Sequence, residues 1–241
     1  EWYVFDRPLS DKAIAPLELF IEQNRDKFTL DQTRAYEGFL RAIHAIFVVK
    51  KIKEDHVVVY NLFDQNKYKI LENDGNLFFH KNDVFEGRIL PFGDKYFFTG
   101  TFCYHPQDAI KFIETESKKI ISERKHLDKT LKIMNSDFIS AESKLKKLSL
   151  EADKMKIKVE KSGQIYTNKL LEENLAAIET KKTELAEQVI TLQKKITDWK
   201  TQNIKLGFRR SCENLIQKLS YMSLKWERSR QIALGDIYRN A

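Results

Sequence analysis

Apolar and polar positions change their period twice along the chain. Between Leu17 and Ile43 apolar residues recur at helical intervals: Leu17, Phe20 and Ile21, then Tyr36, Phe39, Leu40 and Ile43. Pro16 suits the first turn of one helix, and Thr29 with Gln32 has capping-box spacing for a second. The stretch before them reads as a short extended piece. From about Ile46 the period shortens towards two. FVVKKI, HVVVYNLF, KYKILE, LFFHK, VFEGRIL and KYFFTGTFCY are separated by polar, Asn- and Asp-rich turns, with Asp74-Gly75 as a hairpin dipeptide. Five or six strands in about 60 residues predict an antiparallel meander closed into a small β-barrel, SH3-like or OB-like, with the two helices over one face or end.

After Pro106 the pattern becomes a heptad. Ile113, Ile120, Leu127, Met134, Ala141, Leu148 and Met155 lie seven apart, and Ser117, Arg124, Leu131, Phe138, Leu145, Ala152 and Val159 follow each by four. Twelve of these fourteen positions are apolar, about twice what the overall 42% would place there. A 3-4 spacing held this long is the mark of a coiled coil. The register fails near Ser162-Gly163 and restarts at Leu171, running through Leu175, Ile178, Leu185, Val189, Leu192, Ile196, Trp199 and Leu206. The expectation is an antiparallel helical hairpin with its tip near Gly163, its first helix of about 47 residues rising roughly 70 Å at 1.5 Å per residue. A parallel dimer of one long helix is the alternative, because coiled coils tolerate stutters. A third phase, Phe208, Cys212, Leu215, Leu219, Met222 and Trp226, predicts a C-terminal helix after a kink at Gly207.

The chain is thus expected to be α+β, in four stretches: an extended segment and two helices (1–45), a barrel (46–106), a coiled-coil hairpin (107–207) and a C-terminal helix (208–241). Composition sharpens the boundary. All four prolines fall in the first 106 residues, and only Gly163, Gly207 and Gly235 of the eight glycines come later. Residues 1–105 carry 14 Lys/Arg against 16 Asp/Glu, so the net +7 belongs to the helical part. Such a balance favours anionic partners without specifying one.

Trp2 to Leu9 (WYVFDRPL), with Pro16-Leu17-Glu18 and the barrel ending GRILPFGDKYFFTG, resembles a pattern found in uncharacterised bacterial proteins. The resemblance covers about the first 105 residues, supports a domain boundary there and implies no activity.

Candidate chemistry is sparse. No phosphate loop, GxSxG elbow, HExxH or paired CxxC occurs. Cys103 and His105 could join His80 on neighbouring strands, but no fourth ligand presents itself, so no metal and no cofactor are expected. Asp6-Arg7 suggests a local ion pair or turn cap. Cys103 and Cys212 have no paired spacing, which points to a reducing compartment and hence the cytoplasm. No apolar run approaches the length of a membrane span. Tyr60, Phe63, Tyr68, Phe79, Phe92, Tyr96, Phe98 and Tyr104 could offer a stacking platform, but filling the barrel interior explains them more simply, and the acidic balance of this half argues against a nucleic-acid groove. Lys50, Lys51 and Lys53 read as guards of an edge strand.

The function expected is therefore that of a non-catalytic scaffold or adaptor, with the barrel docking a protein partner and the arm reaching, spacing or self-associating. Its residues are the coiled-coil positions Ile113, Ile120, Leu127, Leu131, Met134, Phe138, Leu145, Leu148, Leu171, Ile178, Leu185, Leu192 and Trp199. The alternative is a nucleic-acid- or ribosome-associated factor whose contacts are Lys154, Lys156, Lys158 and Lys161 near the tip. A filament or envelope-associated structural subunit is the third reading.

Overall fold

A computed structural model of the chain describes residues 2–7, 9, 14–71, 79–161, 165–229 and 231–239. The protein is α+β and divides into two compact units, Glu1–Glu123 with Phe208–Ala241, and Arg124–Gly207.

The first unit opens with α1 (Trp2–Phe5), a helical turn where the sequence suggested extended chain. Tertiary contacts override local preference there. Phe5 meets Phe39 edge-on at 6.4 Å between centroids, and the Arg88 guanidinium lies 4.6 Å from the Phe5 ring centre. Pro16 starts α2 (Pro16–Asn24), and Thr29 caps α3 (Leu30–Leu40). The capping box is complete: Gln32 N–H donates to Thr29 Oγ1 at 3.3 Å, and Thr29 N–H donates to Gln32 Oε1 at 2.9 Å. Gly38 lets α3 settle on the sheet, since a Cβ there would stand 2.4 Å from the Pro91 carbonyl oxygen.

Six strands follow: β1 (Ile43–Ile52), β2 (His56–Asn61), β3 (Lys67–Leu71), β4 (Val84–Phe92), β5 (Lys95–Phe98) and β6 (Cys103–His105). The order β1-β2-β3-β5-β4 closes through a β1–β4 pairing into a five-stranded barrel, and β6 extends the sheet on β4. Every pairing is antiparallel except β3 with β5, which meet in parallel at Ile70 and Tyr96. The predicted strand at LFFHK is absent from its described part. Phe79 instead turns inward and packs on Phe85, Phe98 and Phe102 at 4.9–5.4 Å. Asp74-Gly75 lies outside the described residues. Phe47, Val49, Val57, Val59, Ile70, Phe85 and Ile89 fill the interior.

Two strands show how the barrel's outer face is used. β2 alternates half-buried and buried residues, as a wall wet on one side does. β1 is buried without alternation from Ala45 to Val49, because its outer face is covered as well. The cover is α6 (Phe208–Arg228), whose Leu215, Ile216, Leu219 and Met222 join the barrel core together with Ile113 and Ile120 from the start of α4 (Ile110–Lys161). Burying such side chains contributes about 1.5–3 kcal/mol each. A last turn, α7 (Leu234–Ile237), brings Ile237 and Tyr238 into the same core.

The second unit holds the rest of α4, α5 (Ile165–Trp199) and a π-helical segment, Lys200–Gly207. The sequence placed a kink at Gly207. A π turn takes one more residue than an α turn, so the apolar face changes phase there within helical backbone. Lys156 Nζ pairs with Glu179 at 2.8 Å, and the Arg124 guanidinium donates to the Ile204 carbonyl at 3.4 Å. Gly163, the expected tip, lies outside the described residues.

Candidate functional site: a covered polar seam and an open lysine face

Strand pairing puts His44, Val48, Val84, Glu86, Arg88, Cys103 and His105 on one outer face of the barrel. Across Val48 the same face continues onto β2 and β3 through Tyr60 and Lys67. α6 covers the first part. The second is open.

The covered part is a seam of charged and polar groups. Asp6, just after α1, accepts from Arg88 and, at 3.1 Å, from Arg209 of α6. Arg88 is almost sealed, with 3% of its side chain exposed. Arg209 also donates to the Phe5 carbonyl at 3.2 Å and to Glu213 at 2.8 Å. His44 Nε2 meets Glu86 Oε1 at 2.9 Å, while Ser220 of α6 donates to the other Glu86 oxygen. Burial alone would raise the Glu86 carboxyl, but the His44 and Ser220 hydrogen bonds hold it below the usual value. Further along, Ser223 donates to the Tyr104 carbonyl at 2.7 Å, and His105 Nδ1 lies 3.4 Å from the Tyr238 hydroxyl.

Three of these groups are held neutral near pH 7. Burial pushes His105 down to about 4, so the ring is neutral near pH 7. Burial, then the Glu86 charge, raises the Cys103 thiol, which keeps it protonated and weakly nucleophilic. Burial likewise pushes Tyr238 up to about 12. Ser220 faces a carboxylate with His44 on that carboxylate's far oxygen, so no imidazole is placed to take the serine proton. The seam fastens α1, the sheet and α6 together.

The open part is different in kind. Tyr60 stands opposite Lys67, and two residues earlier Val58 stands between Lys51 on β1 and Lys69 on β3. Lys51, Lys53 and Lys67 are exposed, Tyr60 is half-exposed, and Lys50 Nζ sits 5.4 Å from the Tyr60 ring centre. Of the nearby acids, Asp55 is held by His56 at 2.6 Å and faces Lys69 at 3.9 Å, while Asp64 accepts from the Tyr68 hydroxyl and from the Asn66 N–H at 2.8 Å.

The residues expected from the sequence fall in several places. Ile113 and Ile120 are buried in the barrel unit. Leu127, Leu131, Met134, Phe138, Leu145, Leu148, Leu171, Ile178, Leu185, Leu192 and Trp199 are half-buried in the helical unit, where Ala141, Ala152 and Ile196 are buried. Apolar residues off that register, such as Ile133, Ile139 and Ile190, are more than 60% exposed. Lys154, Lys158 and Lys161 are exposed, and Lys156 is engaged by Glu179. Cys103 and His105 share the outer face, whereas His80 is exposed beside Asp83 at 3.6 Å. Among the described residues no three His, Cys, Asp or Glu side chains gather to hold a metal ion, and no helix is long and apolar enough to cross a membrane. Asp6 and Arg7 do not pair as suggested: Asp6 reaches Arg88 and Arg209, and Arg7 lies 5.0 Å from the Tyr3 ring centre. Of the eight aromatic residues, Phe63 and Phe79 are buried, Tyr60, Tyr68, Tyr96 and Phe98 half-buried, and Phe92 and Tyr104 exposed.

Sequence reasoning missed the seam because its members are scattered from residue 6 to residue 238. It missed the lysine face because Lys51, Lys67 and Lys69 meet only through strand register. The KYK of β3, with lysines two apart, was the visible trace of that face.

Fold and seam define the class: an α+β protein built on a closed five-stranded barrel with long helices. Within it, residues 1–141 match a family of unknown function, DUF7986, and the chain belongs to that family. No curated protein and no solved structure matches it.

Proposed function

We propose that the chain is a non-catalytic adaptor that acts in the cytoplasm, with an OB-like barrel as docking module and an antiparallel coiled-coil hairpin for protein–protein interaction or self-association. One observation carries the reading: between Arg124 and Gly207 every described position of the 3-4 register is buried or half-buried, whereas Ile133, Ile139, Leu150, Ile157, Leu170 and Ile190, apolar but off it, are exposed. The Lys156–Glu179 and Arg124–Ile204 contacts support the antiparallel sense, since the earlier residue of α4 meets the later part of the chain. The strand order and the parallel β3–β5 closure favour the OB-like barrel over the SH3-like one.

The test is pull-down from lysate with the full chain and with Leu131→Asp and Leu192→Asp variants. A protein partner, or a second copy, that survives nuclease and is lost with the variants supports the adaptor. A partner retained equally by both variants sinks the hairpin's role. The nucleic-acid reading through the hairpin tip is weakened by the engagement of Lys156, and its better support lies on the barrel.

A further inference from the structure

We propose that the outer face of β1–β2–β3 binds single-stranded nucleic acid, with Tyr60 as a stacking platform and Lys50, Lys51, Lys67 and Lys69 on the phosphates. This rests on the barrel wall and is independent of the adaptor role of the long helices.

Three observations point there. The wall is open: β2 alternates half-buried and buried along its whole length, while the neighbouring stretch of β1 is sealed under α6. Its charge is one-sided. Residues 43–105 carry eight Lys/Arg and eight Asp/Glu, yet the rungs joining β1, β2 and β3 on this face hold Lys51, Val58 and Lys69, then Val48, Tyr60 and Lys67, with no carboxylate. The acids of the β1–β2 turn are Glu54 and Asp55; Asp55 is engaged by His56 and also faces Lys69 at 3.9 Å, an exposed contact that a phosphate would replace. The third observation is the aromatic ring at the centre. An acidic peptide needs only the cations, whereas a half-exposed tyrosine among four lysines offers both a π-face and phosphate partners, the two elements that recognise unpaired strands without sequence preference. Lys67 and Lys69 lie about 6.6 Å apart along one strand and suit successive backbone charges. Lys50, now over the ring, moves to a phosphate when a base takes its place.

Edge protection covers Lys50 and Lys51, which lie where β1 beyond Val48 pairs with β2 alone, but not Lys67 and Lys69, whose strand lies between β2 and β5 in the closed barrel.

The experiment is fluorescence anisotropy of the full chain with labelled oligo-dT and oligo-U of about 15 nucleotides, in the range such walls accommodate. Binding should weaken with salt with a log–log slope of roughly −2 to −3, as three to four phosphate contacts require. Tyr60→Leu should lose about tenfold in affinity and Tyr60→Phe should keep it. Lys51→Gln/Lys67→Gln/Lys69→Gln together should flatten the salt slope to near −1 or abolish binding. Each variant should melt like the parent, which separates lost contacts from lost fold. No binding up to about 100 μM at low salt, the weak end of non-specific association, would overturn the proposal. So would equal competition by a poly-glutamate peptide, which would assign the face to acidic protein. Binding unchanged by the barrel variants but lost on neutralising Lys154, Lys158 and Lys161 would overturn it too.

Discussion

The barrel unit and the helical unit both carry regular apolar patterns, yet they treat those residues very differently. Inside the barrel, Phe47, Val59, Ile70, Phe85 and Ile89 are fully enclosed, because a closed sheet surrounds each side chain and α6 seals part of the outside. Between Arg124 and Gly207, among the described residues, Ala141, Ala152 and Ile196 are buried and the other register positions only half so. A helix presents a single apolar stripe, not an enclosing wall. The lesson is that apolar pattern predicts where residues turn, while topology decides how completely they leave water. Stability should accordingly be concentrated in the barrel and distributed thinly along the helices.

Removing a ring from the barrel is the strongest way to break the contrast. Phe85 touches Phe47, Phe79, Phe98, Phe102 and Tyr104 at 4.9–5.9 Å, so Phe85→Ala should cost about 3–5 kcal/mol in urea melts. A loss below about 1 kcal/mol would mean the core is not packed as described. Asp6→Ala should cost about 3 kcal/mol, chiefly by leaving the sealed Arg88 without its carboxylate. The paired change Asp6→Ala/Arg88→Met should recover much of it, and failure to do so would point to packing rather than charge.

Acid should act on the barrel unit in the same direction. His105 binds its proton near pH 4 when folded and near 6.5 when unfolded, so the unfolded chain holds more protons between these values. The stability is fully present above about pH 6.5 and falls as pH drops towards 4, by about 3 kcal/mol at pH 4. Glu86, depressed when folded, adds a loss below its usual value. His105→Gln should flatten the pH 7 to 4 dependence of urea melts, and an unchanged slope would remove His105 as its cause.

Changes in the helical unit should be smaller. Leu131→Asp or Leu192→Asp should cost about 2 kcal/mol and lower far-UV helicity without altering the near-UV signal of the barrel aromatics. A shared, single transition in both signals would argue against separate stabilities. Lys156→Ala should leave the melting temperature nearly unchanged, because half of the Lys156 side chain and a third of the Glu179 side chain face water, which screens the pair.

Much of this architecture was readable from pattern. Helix periods, the capping box at Thr29, most strands and the 3-4 register are local, and local signals survive without knowledge of the fold. What failed was what tertiary contact decides. WYVF is helical because Phe5 and Asp6 must meet Phe39, Arg88 and Arg209. Phe79 leaves the expected strand to plug the barrel. Lys51, Lys67 and Lys69 seemed unrelated until β2 brought them onto neighbouring rungs, and the neutral charge of the whole barrel concealed their grouping.

The sealing of the barrel by α6 also bears on how the chain is made. Residues 1–123 leave the translation machinery first, but the helix that completes their core begins only at Phe208, 84 residues later. At about 5–20 residues per second the nascent sheet waits roughly 4–17 seconds with the outer side of β1, β4 and β6 uncovered. Arg88 meets Asp6 in that interval, while Glu86 and the Ile46 surface beside it stay without their final cover. The synthesis schedule thus creates a window in which this protein is most open to chaperones and to aggregation. A pause or truncation between the two segments should be felt by the barrel first.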